Sequence, residues 1–478
     1  MLLRKKTIDA TEGPIFSKML AFVVPLMMAN LLNHLYNMAD NIVVGQFSGD
    51  PHALAAVGST VSLNSAFVNL ATGISIGAGV IVARAFGARN KEDLHRGVHT
   101  AMTLSILIGV VLGVIRFFIS EPILVLMGTN AEILPKAVLY TRILSAGMPG
   151  TVVYTIGAAV LRSVGDSKTP LHAVTVAGLL NIVLNLFFVI ACGMDVDGVA
   201  WATFISKYVS AAMVVFVLIK RKGEDYAFDP GKMRLDGKLI GEILYIGIPS
   251  AIQSMLYSLT NIFLTAALNT FPIDVMSART IATNIDVLLS TAINTYLHAS
   301  MTFTSQNYGA RKPDRMKKSI FTALLQAAVI GFTVGQLMII FREPLVNMYL
   351  AHDDPNRVAV MAYCKEIMVV MLSSYFIGAM VDSMSGFLRG LGASISSMII
   401  SMVGICGIRC FWIFVAFPKI GTLTGLYLGY PISWTLTFIG LSVGSIFTYK
   451  RVKRKMMMEA REIEQSETAN EEQEPHVI

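Results

Sequence analysis

Long uninterrupted apolar blocks, separated by short charged punctuation, constrain this chain more than any other feature. Thr100 to Ile115, Ala173 to Cys192, Trp201 to Ile219, Ser319 to Phe341, Ser394 to Phe417 and Leu423 to Phe447 are examples. Each is near or above the roughly 18 to 20 residues needed to cross about 30 Å of hydrocarbon. With 54% hydrophobic residues against 14% charged ones, and a mean hydropathy of +0.63, the 478-residue chain does not read as a set of soluble domains.

Counting blocks between charged or Pro/Gly breaks predicts an all-α polytopic membrane protein of twelve transmembrane helices. They fall near 16–44, 54–83, 94–118, 136–160, 168–192, 195–220, 240–270, 275–307, 317–341, 358–386, 391–417 and 421–449. Arg4, Lys5 and Lys6 precede the first block, but a polar Thr-Glu-Gly-Pro stretch intervenes and no small-residue cleavage motif follows, so the first helix is expected to be retained. The four cysteines, Cys192, Cys364, Cys406 and Cys410, lie in or beside predicted spans with no CxxC pair. That spacing indicates neither a disulfide framework nor a zinc site.

The formal charge of +7 is placed for a membrane and not for nucleic acid. With both termini cytoplasmic, most of the 38 Lys and Arg residues fall in inner loops and tails, and Arg116, Lys136, Arg279, Arg342, Arg357 and Lys419 are assigned to outer loops. The run Lys450 to Lys455 reads as a stop signal at the inner face. The tail 451–478, rich in Glu and Gln from Met458 on, is expected to be disordered.

The chain contains itself twice. Phe86-Gly-Ala-Arg-Asn recurs as Tyr308-Gly-Ala-Arg-Lys and Glu121-Pro-Ile-Leu-Val as Glu343-Pro-Leu-Val-Asn, both at an offset of 222. Val24-Pro25 recurs as Ile248-Pro249 at 224, and Leu161-Arg-Ser-Val-Gly as Leu388-Arg-Gly-Leu-Gly at 227. Four collinear pairs at nearly one offset indicate duplication. An even number of helices per repeat inserts both halves the same way up, giving a pseudo-twofold along the membrane normal with the substrate path at the interface. The expected organisation is a cytoplasmic tail 1–15, a six-helix lobe 16–220, a cytoplasmic linker 221–239, a second six-helix lobe 240–450 and the tail 451–478.

Particular residues then point to a family. Pro25 lies in the first helix, Asp40-Asn-Ile-Val-Val-Gly45 at its end and Ala53-Leu-Ala-Ala-Val-Gly58 opens the second. Gly87-Ala-Arg89 follows that helix, and Leu161-Arg-Ser-Val-Gly-Asp-Ser-Lys-Thr-Pro170 joins the fourth to the fifth. In this combination the chain resembles the multidrug and toxic compound extrusion (MATE) family from about Thr11 to about Arg451. The resemblance implies a central cavity open alternately to each side, and antiport of organic cations or other xenobiotics against H+ or Na+. It implies no cofactor and no enzymatic activity. A plasma-membrane protein working as a monomer is expected.

Acids within apolar spans are candidate functional groups because charge is costly in a bilayer. Asn30, Asn33, Asn37 and Asp40 fall at helical spacing on the first span and predict one polar stripe. Asp40 lies 22 residues beyond Lys18, roughly 33 Å along a helix, toward the outer side. Removing a carboxylate from water penalises its charge, which suits it to exchange protons or cations; capping the helix end is the structural alternative. By resemblance, the cation-coupling set is Asp40 with Asn37, Asn181, Asn185 and Thr203. Some family members carry an acid where Asn185 stands, so this site has one formal charge where theirs has two.

In the second half, Thr280, Asn284, Thr291, Asn294 and His298 trace one face of a span, with Asp286 on another. On the tenth span Tyr375, Gly378, Asp382, Ser385 and Arg389 align, and Asp382 is expected to pair with Arg389. Asn33, Gln253, Tyr257, Asn284, Asp286 and Asp382 are candidate cavity residues. Tyr257 stands near the position at which some family members place a glutamate, and Pro25 and Pro249 are candidate kinks. The 27 methionines and 25 phenylalanines suit an adaptable apolar pocket. A lipid-linked glycan flippase is the alternative, but it calls for a cationic cavity and often fourteen spans. A membrane enzyme calls for a clustered catalytic array, such as His-x-x-Glu-His, which is not found.

Overall fold

The computed structural model describes residues 7–48, 50, 52–221, 223–350 and 356–471, and places helices and no strand among them. Arg4, Lys5 and Lys6, and the tail beyond 471, lie outside the described residues. Twelve long helical segments follow the twelve predicted blocks. They are α1 Ile15–Phe47, α2 Ala53–Gly87, α3 Lys91–Leu126, α4 Leu134–Ala146 continued by Met148–Ser163, α5 Lys168–Ala191 and α6 Val196–Lys220. The second half has α7 Gly237–Leu268, α8 Ile273–Gly309, α9 Pro313–Ile340, α10 Arg357–Gly390, α11 Ser394–Ile420 and α12, which opens at Leu423–Tyr427 and runs on as Gly429–Glu471.

Ten of these are long and apolar enough to cross a membrane, and α4, bent by 48° at Gly147, makes eleven. The remaining one, α8, spans 37 residues but carries Asp274, Arg279, Asp286, Asn294, Gln306 and Asn307. A helix this polar cannot face lipid and must be wrapped by protein or water. Two other helices depart from α geometry at matching places in the repeat: α5 ends in a wide π turn at Phe187–Ala191, and α11 contains two, Met402–Gly407 and Trp412–Ala416. The helices containing Pro25 and Pro249 run through them unbroken.

Local chemistry sets the starts and stops. Asn90 caps α3 by accepting from the Asp93 amide, and Asp236 caps α7 by accepting from those of Lys238 and Leu239. Gly165 and Gly421 adopt the left-handed conformations, φ +82° and +67°, that let the chain reverse between α4 and α5 and between α11 and α12. The linker is docked: Tyr226 and Phe228 are buried, and Arg221 forms a buried ion pair with Asp166 at 2.6 Å.

α1 to α6 and α7 to α12 form the two lobes, and the seam between them is built from duplicated residues. A Cβ on Gly87 would lie 1.9 Å from the Gln306 carbonyl oxygen, and one on Gly309 would lie 1.9 Å from that of Arg84. Gln306 in turn donates from Nε2 to the Ser163 carbonyl at 2.7 Å, and Arg84 donates from Nη2 to the Gly390 carbonyl at 3.1 Å. Each bond is the repeat counterpart of the other, so the two halves clasp each other reciprocally. α2 also lies so close to α7 that a Cβ on Gly77 would meet the Ile243 carbonyl at 2.0 Å.

Residues ahead of α1 cross this seam as a strap. Ile8 N donates to Gly165 O (3.2 Å) in the first lobe, and Ala10 N to Gln306 Oε1 (2.8 Å) in the second. Asn307 Nδ2 and Arg315 Nη2 donate to Ala10 O (3.2 and 3.0 Å), and Lys312 Nζ to Thr11 O (3.1 Å). The other chain end reaches the same side, with Lys453 on Asp314 and Arg311 on Glu459. The tail is therefore helical as far as Glu471; its charged composition reads as disorder, but pairs such as Lys455 with Glu459 one turn apart favour a helix.

At the opposite end the polar contacts stay within a lobe. Lys136 bridges Asp50 and Asp195 in the first, and Lys365 pairs with Glu343 in the second. Thr280, Asn284 and Asn294 of α8 and Asn37 of α1 are exposed. The bundle is sealed at the end that carries both termini and leaves a polar cleft open toward the other.

Candidate functional site

In the first lobe α1 passes α5 and α6, and the polar residues of the three helices meet. Asp40, 7% exposed, accepts from Asn185 Nδ2 at 2.5 Å on Oδ1 and from Thr203 Oγ1 at 3.4 Å on Oδ2. Asn181 closes the ring, donating to Thr203 Oγ1 at 3.4 Å and accepting from Asn185 at 3.3 Å. Asn181 and Asn185 are one turn apart and fully buried, so α5 contributes both amides to the ring, Asn185 on the carboxylate and Asn181 on Thr203. The Asn185 Oδ1 is buried without a partner, which leaves the cluster one acceptor to spare. Four of the five residues assigned to cation coupling thus come together. Asn37 does not: it is exposed, because a step of three residues turns the helix face by about 60° and carries it to the cleft side.

Beside this ring lies a second group. Tyr36 OH donates to Asn33 Oδ1 and accepts from Lys207 Nζ at 2.7 Å, and Lys207 lies one turn beyond Thr203 on α6. Asn33 is therefore engaged inside the lobe and does not face the cleft directly. The role of Lys207 was not legible without the fold, although its spacing from Thr203 would have placed both on one face. Arg116, assigned from sequence to an outer loop, is buried within α3, with Nη1 on Asn64 Oδ1 at 3.1 Å.

In the second lobe the candidates divide into three places. Gln253, 2% exposed, donates to Tyr257 OH at 2.7 Å and accepts from Arg389 Nη2 at 2.8 Å. Asp382 accepts from Asn294 Nδ2 at 3.2 Å. The expected Asp382–Arg389 ion pair is therefore absent, because the arginine is drawn across to the amide of α7. Asp286 lies against Tyr375, with one carboxylate oxygen buried and unpartnered. Asn284 is exposed and joins none of these groups.

Among the described residues no three His, Cys, Asp or Glu side chains are grouped to hold a metal ion. The first-lobe ring offers oxygens from one carboxylate, two amides and one hydroxyl. That donor set suits a monovalent cation or a proton better than a divalent metal.

Comparison with known proteins bears on what such a cleft does. The MatE family model matches residues 25–187 and 249–415, one match in each lobe. The "Probable multidrug resistance protein YoeA" of Bacillus subtilis (strain 168) is 27% identical over 438 residues, covering 90% of this chain and 93% of that protein. The "Probable multidrug resistance protein NorM" of Thermotoga maritima is 25% identical over 439 residues, covering 89% and 91%. Among solved structures, "Outward-facing conformation of a multidrug resistance MATE family transporter of the MOP superfamily" superposes with a TM-score of 0.83 over 94% of this chain and 98% of that one, at 22% identity.

Proposed function

This chain belongs to the MATE family, whose members are transporters and not enzymes, and from that premise we propose that it exports small organic compounds in exchange for an inward-moving H+ or Na+. The observation that carries the coupling is Asp40: a buried carboxylate whose hydrogen-bond partners are all neutral, in the wall of a cleft open at one end. A negative charge in that position is relieved by taking up a cation. Asn181, Asn185 and Thr203 orient the carboxylate and would share a bound ion.

On this reading the sealed end, with Arg89, Lys91, Lys312, Arg315, Lys453 and Lys455, faces the cytoplasm of a plasma-membrane protein. Uptake of the ion from outside neutralises Asp40, the lobes rock, and the seam opens inward as the outer mouth closes. Each half of the cycle exposes the same cleft to one side, and the chain carries both lobes it needs as a monomer. Lys207, held by Tyr36 one turn from Asp40, keeps a resident positive charge near the acid. A resident ammonium competes with Na+ at that position, so the reading favours H+. Organic cations suit the acids Asp286 and Asp382 of the second lobe.

The test is accumulation of ethidium in inverted vesicles under imposed proton or sodium gradients, with wild type and Asp40→Asn. Export by wild type under one gradient, lost in a normally expressed Asp40→Asn, supports the reading and names the ion. If neither gradient moves any compound in a broad panel of organic cations, the reading fails. Lys207→Gln is expected to make transport more responsive to a sodium gradient; an unchanged ion preference would remove the lysine from the account.

A further inference from the structure

The repeat places two arginines, Arg162 and Arg389, at matching positions beside the seam. Each precedes the residue whose carbonyl takes the reciprocal seam bond, Ser163 or Gly390. Their surroundings differ. Arg389 is 3% exposed and gives Nη2 to Gln253. Arg162 keeps part of its surface exposed, and it finds no hydrogen-bond or ion-pair partner among the described residues. A guanidinium carries five donors and does not release its charge. One left without protein acceptors inside a membrane protein needs water or an anion.

The groups around Arg162 do not supply a counter-charge. It shares a cavity of about 10 Å³, room for one water, with Ser75, Ser163, His298 and Thr302. Electrostatically, Tyr154 acts on Arg162, while His298 is within reach of both arginines. The carboxylate of Asp382, within reach of Arg389, is held by Asn294. The seam thus has two fixed cations beside it, one from each lobe, and one of them is already satisfied by an amide.

We propose that Arg162 is an anion seat, and that the compounds entering the cleft include organic molecules bearing a carboxylate or a phosphate. This deepens the export reading and rests on it. The ligand approaches the part of Arg162 that stays exposed, since the cavity beside it holds only a water. A planar fork on a carboxylate or phosphate gives two parallel hydrogen bonds, which a lysine at this position would not reproduce. Together with the acids of the second lobe, such a seat suits compounds that carry both signs of charge.

Equilibrium binding tests this without requiring transport. Full-length protein in nanodiscs of phosphatidylcholine is titrated with 6-carboxyfluorescein and, separately, with rhodamine 6G, a cation on the same xanthene core. Arg162→Gln is expected to weaken carboxyfluorescein about ten- to a hundredfold and leave rhodamine 6G unchanged. Thr302→Asp, which puts a carboxylate into the shared cavity, is expected to produce the same selective loss by a route that keeps the arginine. Equal carboxyfluorescein affinity in wild type and both variants, or no binding to wild type, would overturn the proposal. Parallel loss of both dyes in the two variants would overturn it as well. Failure of wild type to bind rhodamine 6G counts against the export of cations and not against the seat. Repeating the wild-type titration with phosphatidylglycerol in the disc separates two sources: competition assigns the seat to an anionic lipid headgroup, and none assigns it to a free organic anion.

Discussion

The two lobes descend from one repeat, yet their polar interiors differ in kind. The first lobe gathers one acid, two amides and a hydroxyl from three helices into a closed ring around Asp40. The second distributes its acids, Asp286 against Tyr375 and Asp382 against Asn294, while Arg389 binds the amide of Gln253. The seam shows the reverse pattern, since its two halves repeat each other bond for bond. Duplicated residues that must face each other have kept matching geometry, whereas the walls, which face a ligand, have been free to diverge.

Exchanging the acids probes that contrast most strongly. Asp40→Asn is expected to reduce gradient-driven export to the level of empty vesicles, while Asp382→Asn, which leaves Asp286 as an acid for the organic cation, should weaken export by about fivefold and keep its dependence on the gradient. Equal losses in proteoliposome assays would erase the distinction between the lobes.

The seam ranks next. Gly87→Ala and Gly309→Ala each drive a methyl into a facing carbonyl, and overpacking of this sort costs about 1 to 3 kcal/mol. Because only the sealed state makes these contacts, each variant should shift the balance toward the inward-open state by about ten- to a hundredfold. Spin labels across the seam report the distances, and a shift in one variant alone would break the reciprocity.

Smaller effects come from single bonds. Thr203→Val removes one donor to Asp40, about 1 kcal/mol or fivefold in affinity for the coupling ion. Asn294→Leu, the corresponding change beside Asp382, should leave that affinity alone. The smallest effect lies outside the membrane. Arg96 and the first amides of α7 hold the Asp236 carboxyl below the usual carboxylate range. The stability this contributes is present at neutral pH and lost as pH falls through that lowered range, so hydrogen exchange at the start of α7 should quicken only in acid.

Much of this architecture was legible in the sequence because bilayer physics leaves few options. Block lengths gave the twelve helices, and the offsets gave the two lobes, even for α8, whose polarity hides it from a hydropathy criterion. The ring around Asp40 was legible for those members that resemblance and helical spacing agreed on. Asn37 was misplaced because a stripe drawn at i, i+3 and i+7 is wide, and the boundary between lobe interior and cleft runs through it. The Asp382–Arg389 pair failed because spacing on one helix says nothing about a better acceptor on another, here Gln253. Arg116 read as a loop residue because a lone charge marks the end of an apolar block equally well when it is buried on Asn64.

The seal has an electrical consequence. Where the open end faces outward, as the export reading has it, a water-filled cleft carries the potential of the outer solution down toward the seam, and the voltage across the membrane falls mostly over the short sealed stretch. Asp40, well above that stretch on α1, then sits at nearly the outer potential, and an ion reaching it crosses little of the field. The work of roughly 2.3 kcal/mol per charge at 100 mV is done when the lobes rock and carry that charge through the seal. Voltage should therefore set the speed of turning over and leave the affinity for the ion almost untouched.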